Sequence, residues 1–143
     1  MLIGAVVPRQ TIMHVNRLTV LLANEQEDWH RTVRGLLEPQ GIRTVSVRSG
    51  REVLDVLEHD DVHVAVLDAQ MPQLGGMQVV KMMNQAGRRP PAIMLAEHVT
   101  NQLMQEALAL QVFSVLSKPV DYAALLDSLA RVVRRHYEGR WPM

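Results

Sequence analysis

The sequence predicts an α/β protein with a doubly wound, five-stranded parallel sheet in the strand order 2-1-3-4-5 and five helices. Five short apolar segments alternate with segments of helical periodicity, which is typical of repeated strand–helix units and a parallel sheet. The apolar segments are continuous, as expected for strands that are covered on both faces. Right-handed crossovers leave few topologies, and this strand order is the obvious one for five strands.

The first two helices have recognisable ends. The predicted strands are residues 18–23, 43–47, 62–67, 91–95 and 112–116. Val33 and its apolar neighbours recur at helical spacing after the first strand, and Gly41 should end that helix. Ser49 and Glu52 form a capping box for the second helix, which should run to about His59.

Three further helices follow the third, fourth and fifth strands. Residues 77–86 form the third, and Leu103, Ala107 and Leu108 mark the fourth. Asp121 can cap the fifth helix through its carboxylate. The apolar stripe of this helix consists of Leu125, Leu129, Val132 and Val133.

Length and composition restrict the possible functions. The 143 residues suit one domain, which we expect at 17–137 between an N-terminal tail, 1–16, and a C-terminal tail, 138–143. Cysteine is absent, which excludes disulfides and zinc–thiolate sites. Fifteen basic residues balance fifteen acidic ones, which disfavours nucleic-acid binding. The apolar start, 1–7, is too short for a membrane helix and lacks signal-peptide features, so we expect a cytoplasmic protein.

Polar side chains follow the predicted strands. Asn24 and Glu25 come after the first strand, Asp68 after the third, and Lys118 after the fifth. Because the carboxyl ends of parallel strands meet at one edge, these groups should converge there. Carboxylate oxygens suit Mg²⁺, and aspartate can act as a nucleophile toward phosphorus. We therefore predict a magnesium-dependent phosphoryl-transfer site.

These residues stand in a recognisable order. The motifs are Asn24-Glu25, then Leu67-Asp68-Ala69-Gln70-Met71-Pro72 with Gly76, then Ser117-Lys118-Pro119. From Leu18 to about His136 the chain resembles response-regulator receiver domains of two-component signalling, which have the CheY-like (flavodoxin-like) fold. The resemblance implies that Asp68 is phosphorylated and that Lys118 contacts the phosphoryl group. It also implies that Glu25, Asp68 and the Gln70 backbone carbonyl bind Mg²⁺, with Asn24 just behind them, and that the Lys118–Pro119 bond is commonly cis.

The resemblance also implies a function and partners. The chain would be a stand-alone receiver that takes a phosphoryl group from a histidine kinase or phosphotransfer protein and signals by binding an unidentified downstream protein. It would not be an enzyme beyond magnesium-dependent self-phosphorylation and dephosphorylation. A homodimer through the fourth helix, fifth strand and fifth helix is a further expectation.

Three residues depart from the family pattern. Asn24 replaces an acid, Ala96 replaces a hydroxyl residue, and Val115 replaces an aromatic switch residue. These departures favour an alternative, a degenerate receiver that binds proteins independently of phosphorylation. A flavin or nucleotide binder on the same fold is disfavoured, since no Gly-x-Gly-x-x-Gly or P-loop follows the first strand and aromatic residues are only 3% of the chain.

Three aromatic or imidazole side chains allow two interpretations each. Trp29 begins the stripe of the first helix and suits core packing or contact with a partner equally well. His63 falls in an apolar run, where a hydrogen-bonded core histidine is a better interpretation than a ligand. His98 and Gln70 flank the acceptor in the family pattern and would tune loss of the phosphoryl group, although a loop role is the simpler interpretation for His98.

Overall fold

A computed structural model describes residues 17–87 and 89–137; the predicted tails, 1–16 and 138–143, lie outside these ranges. The strands are β1 (Thr19–Ala23), β2 (Arg43–Val47), β3 (Val64–Asp68), β4 (Ala92–Ala96) and β5 (Ser114–Ser117). The helices are α1 (Glu27–Leu37), α2 (Gly50–His59), α3 (Gly76–Ala86), α4 (Asn101–Ala109) and α5 (Tyr122–His136), and a 3₁₀ turn (Glu38–Gln40) follows α1. All strand pairs are parallel and the order is 2-1-3-4-5, so the predicted fold is confirmed.

The sheet has an apolar layer on each face. On one face, side chains of α1 and α5 pack against the strands, and the predicted stripe of α5 (Leu125, Leu129, Val132, Val133) is fully buried. On the other face the layer comes mainly from α2 and α3. Trp29 is 6% exposed within the first layer, which decides in favour of core packing.

The helix caps lie where the sequence predicts them. The Ser49 hydroxyl accepts a hydrogen bond from the Glu52 N–H, and the Glu52 carboxylate accepts one from the Arg48 N–H. Asp121 accepts hydrogen bonds from two N–H groups in the first turn of α5. Gly41, at φ +85°, ends the turn after α1, because that conformation is unstrained only without a Cβ atom.

Two strands begin two residues later than predicted, β3 at Val64 and β5 at Ser114, and β1 and β4 begin one residue later. The placement of His63 inside a strand was therefore wrong. His63 is half-buried at the amino edge of the sheet, where its Nδ1 accepts a hydrogen bond from the Thr19 N–H at 3.0 Å. Its ring also packs edge-on against Tyr137, with 5.1 Å between centroids.

Candidate functional site

The carboxyl ends of β1, β3, β4 and β5 lie side by side. Residue 67 of β3 is in register with residue 23 of β1, and Asp68 is in register with Leu95 of β4. Backbone hydrogen bonds continue past the strand ends, from Ala69 N–H to the Leu95 carbonyl and from Lys118 N–H to the Ala96 carbonyl. The predicted convergence of strand ends is thus present in the backbone.

Asp68 and Lys118 form an ion pair at this edge. The Lys118 Nζ lies 2.5 Å from Asp68 Oδ2, and the Asp68 side chain is only 3% exposed. Asp68 Oδ1 accepts a hydrogen bond from the Gln70 N–H at 2.9 Å. A buried carboxylate needs such partners, because burying an unpaired charge is strongly unfavourable. The structure therefore brings together two of the predicted site residues and the backbone of a third.

Two glycines let the loop after β3 fold back onto the end of that strand. A Cβ atom on Gly76 would lie 2.7 Å from the Asp68 carbonyl oxygen and 2.6 Å from the Met94 sulfur. A Cβ on Gly75 would lie 2.5 Å from the Ala69 carbonyl oxygen. Since real Cβ atoms do not approach other atoms so closely, both positions require glycine, and α3 can begin directly against the Asp68 backbone.

Asn24 is 3% exposed and is held by three hydrogen bonds. Its N–H donates to the Val47 carbonyl at 3.2 Å, and its side-chain oxygen accepts from the Gln26 N–H at 2.8 Å. Its own carbonyl oxygen lies 2.7 Å from Nε2 of His30 in α1. The Asn24 side chain thus fixes the backbone just before α1.

Sequence reasoning missed His30. It is 1% exposed, its ring meets Trp29 edge-on at 5.2 Å between centroids, and its Nδ1 has no hydrogen-bond partner within the described part of the chain. A buried unpaired polar group costs roughly 1–3 kcal/mol. The available signal was a polar residue next to Trp29 at the start of a helix with an apolar stripe.

Glu25 lies at the same edge but is not in contact with the ion pair. Its side chain is exposed, and no hydrogen bond or ion pair joins it to another residue in 17–87 or 89–137. Within those ranges no three His, Asp or Glu side chains are grouped closely enough to hold a metal ion. The metal ligands predicted from the sequence include only two carboxylates, Glu25 and Asp68, because the third ligand is the Gln70 carbonyl. They therefore do not count as a group of three such side chains.

The oxygen donors nevertheless fit Mg²⁺. Mg²⁺ commonly binds through one or two carboxylates and keeps several waters. Each Asp68 oxygen has one partner, and a carboxylate offers about four lone-pair sites in total, so acceptor capacity remains. Glu25 is unpaired among the described residues, so its carboxylate can turn toward an ion without breaking a contact.

Two of the three positions that depart from the family pattern, Ala96 and Val115, lie on β4 and β5. Ala96 is 4% exposed and, with Gln70, His98 and Thr100, lines a cleft of about 360 Å³ next to the loop that follows Asp68. The Thr100 hydroxyl accepts a hydrogen bond from the Leu103 N–H as the cap of α4. Val115 is half-buried and packs against the apolar layer that contains α2 and α3. His98 is exposed.

The Lys118–Pro119 peptide bond is cis, as the resemblance implied. None of the helices described is long and apolar enough to cross a membrane.

The sequence matches the family described as the response regulator receiver domain over residues 20–130. The chain belongs to the response regulator receiver domain family. Receiver domains are signalling domains that interact with histidine kinases or phosphotransfer proteins. The match includes every site residue discussed above.

The chain is also similar to individual regulatory proteins and to solved structures. The chain is 29% identical over 120 residues to the sensory/regulatory protein RpfC of Xanthomonas campestris, covering 81% of the chain and 16% of RpfC. It is 26% identical over 125 residues to response regulator RR06 of Streptococcus pneumoniae, covering 84% of the chain and 55% of RR06. The chain thus spans about half or less of these relatives' length. The solved structure of the chemotaxis protein CheY4 of Vibrio cholerae superposes with a TM-score of 0.75 at 25% identity, covering 81% of this chain and 98% of that one.

Proposed function

We propose that this receiver domain accepts a phosphoryl group on Asp68 from a phosphohistidine of a histidine kinase or phosphotransfer protein. The observation that supports it is the contact between the buried Asp68 carboxylate and the Lys118 ammonium group at the carboxyl edge of the sheet. An ionised carboxylate is the nucleophile that this transfer requires. Lys118 keeps a positive charge where the incoming phosphoryl group would add negative charge.

The transfer balances simply. One Asp68 carboxylate oxygen attacks phosphorus while the bond between phosphorus and the donor's imidazole nitrogen breaks, so the products are an aspartyl phosphate and a free histidine. Lys118 contacts the carboxylate beforehand and is close enough to contact the phosphoryl group afterwards. The Gln70 N–H orients the carboxylate through its hydrogen bond to Oδ1.

Glu25, Asp68 and the Gln70 carbonyl would hold Mg²⁺ in this proposal. When bound, the ion would neutralise charge on the phosphoryl oxygens. Asn24 would lie behind the ligands rather than among them, with its side-chain oxygen accepting a hydrogen bond from the Gln26 N–H. The loop after β1 would therefore supply a single carboxylate.

The test uses acetyl phosphate and MgCl₂, with intact-mass measurement. The unmodified protein should gain the mass of one phosphoryl group, and EDTA should prevent the gain. Asp68→Asn should abolish it, while Asp55→Asn, which changes an exposed aspartate of α2, should not. No gain in the unmodified protein, or a gain that survives Asp68→Asn, would refute the proposal.

A second candidate, a phosphorylation-independent binding module, is favoured by one observation. Ala96 offers no hydroxyl beside the acceptor, and the nearby Thr100 hydroxyl is engaged in capping α4. This candidate predicts no mass gain and partner binding that is indifferent to acetyl phosphate. The experiment above therefore distinguishes the two candidates.

We further propose self-association through α4, β5 and α5. Leu108 and Met104 of α4 are 78% and 45% exposed and stand one helical turn apart, so they form an apolar strip on the surface. Sedimentation velocity should show a dimer that Leu108→Glu weakens. A protein that stays monomeric at high concentration would contradict this proposal.

A further inference from the structure

The loop that carries Glu25 is fixed from behind by a histidine. His30 Nε2 lies 2.7 Å from the Asn24 carbonyl oxygen. A carbonyl oxygen only accepts hydrogen bonds, so Nε2 must carry the proton and donate it, and Nδ1 is left as an acceptor. That Nδ1 is buried without a partner among the described residues, although an apolar side chain would fill this place without such a cost. The hydrogen bond from Nε2 to the Asn24 carbonyl is therefore the interaction that His30 makes and an apolar side chain at this position could not make.

The contact with His30 holds Asn24, the residue directly before Glu25. The N–H, the side chain and the carbonyl of Asn24 each have a partner, on β2, at the start of α1 and at His30 respectively. The next residue, Glu25, is exposed and unpaired within the described ranges. The direction in which Glu25 leaves the backbone thus depends on the peptide that His30 holds.

We propose that His30 is a positioning residue that sets the magnesium affinity of the site through the Asn24–Glu25 peptide, without touching the ion. The inference rests on the proposed function, in which Glu25 is the one carboxylate that this loop supplies. Groups that orient metal ligands from behind typically change metal affinity by roughly 10–100-fold when they are removed. We expect the low end of that range, because His30 holds a backbone carbonyl rather than the ligand itself.

The test compares two variants by calorimetric titration with MgCl₂. His30→Leu keeps apolar volume but has no donor, and it should raise the magnesium Kd about tenfold. His30→Gln retains an amide N–H at a similar reach and should keep the Kd within about twofold of the unmodified protein. Thermal unfolding of both variants checks that they fold. A folded His30→Leu with unchanged Kd would overturn the proposal, since a purely structural role would lower Tm alone.

A measurement on the unmodified protein covers the case in which His30→Leu does not fold. The ¹⁵N resonance of His30 Nε2 should shift on addition of MgCl₂ with the same Kd as the amide of Asp68. A His30 resonance that stays fixed while the Asp68 amide titrates would overturn the role of His30 and leave the magnesium site intact. If neither signal titrates, the magnesium part of the proposed function fails, and this inference fails with it.

Discussion

The ion pair of Asp68 and Lys118 predicts a strong energetic coupling in the unphosphorylated protein. Lys118→Met removes the ammonium group but keeps most of the apolar stem. The Asp68 side chain, 3% exposed, would keep only the Gln70 N–H as a partner in the described structure. At 2.5 Å and an effective dielectric of 20 the gross attraction is about 7 kcal/mol, most of which desolvation offsets.

Removing one member of a buried pair typically costs about 3–5 kcal/mol. The Lys118 side chain is 25% exposed, so water can enter where the ammonium group was and reduce the loss. We therefore expect Lys118→Met to lower the free energy of unfolding by about 2–3 kcal/mol. In an Asp68→Asn background the same substitution should cost less than about 1 kcal/mol, because the amide carries no charge to leave unpaired.

Urea unfolding followed by circular dichroism, with EDTA present, measures all four proteins of this cycle. The matched control is Lys81→Met, which breaks a pair with Glu106 whose members are 50% and 42% exposed. That substitution should cost no more than about 1 kcal/mol. If Lys118→Met lowers the free energy of unfolding equally in the unmodified protein and in the Asp68→Asn background, Lys118 contributes through packing alone and the reasoning is refuted.

Two further predictions concern stability. Gly76→Ala should destabilise the fold by about 1–3 kcal/mol, because its Cβ would meet the Asp68 carbonyl oxygen at 2.7 Å; Gly35→Ala, in an open part of α1, should instead raise Tm. The Thr44 hydroxyl, and then Arg34, lower the pKa of Glu38 from its usual 4.5. Thr44→Val should raise that pKa in an NMR titration. Because the pKa of Glu38 is lower in the folded protein, its ionised form stabilises the fold. Thr44→Val should therefore destabilise the protein at neutral pH, and this difference should vanish as the pH falls through the pKa that Glu38 has in the folded protein. It should stay below about 1 kcal/mol, since the Glu38 side chain is 41% exposed.

The fold could be predicted because burial leaves a periodic trace in the sequence. The stripe of α5 is apolar at helical spacing, and all four of its residues are fully buried. Ser49 and Asp121 precede helices with the chemistry that capping requires, and both accept the expected hydrogen bonds. The strand order followed from the number of strand–helix units and the hand of their connections.

Strand starts and exposure were less predictable, because hydrophobicity reports burial and not hydrogen bonding. Val62 and Val112 pack against the core from outside the strands, so the predicted strands began too early. Leu108 marks α4 correctly but is 78% exposed. An apolar residue at a helical position thus does not identify the face that packs on the sheet.

The site was predictable only as far as the strands determine it. Asp68 ends β3 and Lys118 follows β5, so the parallel register brings them together. Glu25 lies beyond β1, where no ladder fixes its side chain. The contact between His30 and the Asn24 carbonyl depends on how α1 sits on the sheet, and a backbone acceptor leaves no trace in the sequence.

Asn24 and Ala96, which depart from the family pattern, change the side chains at the carboxyl edge of the sheet without changing the hydrogen bonds that hold the strand ends together. The Ala96 carbonyl accepts a hydrogen bond from the Lys118 N–H. The Asn24 carbonyl accepts one from His30, and the Asn24 N–H donates to the Val47 carbonyl. A hydroxyl or carboxylate at these positions would add a ligand but is not needed to hold the strand ends together. Asp68 and Lys118 therefore keep their contact although position 96 has no hydroxyl and position 115 no aromatic ring. Under the proposed function, phosphorylation of Asp68 and transmission of its effect therefore call for separate experiments.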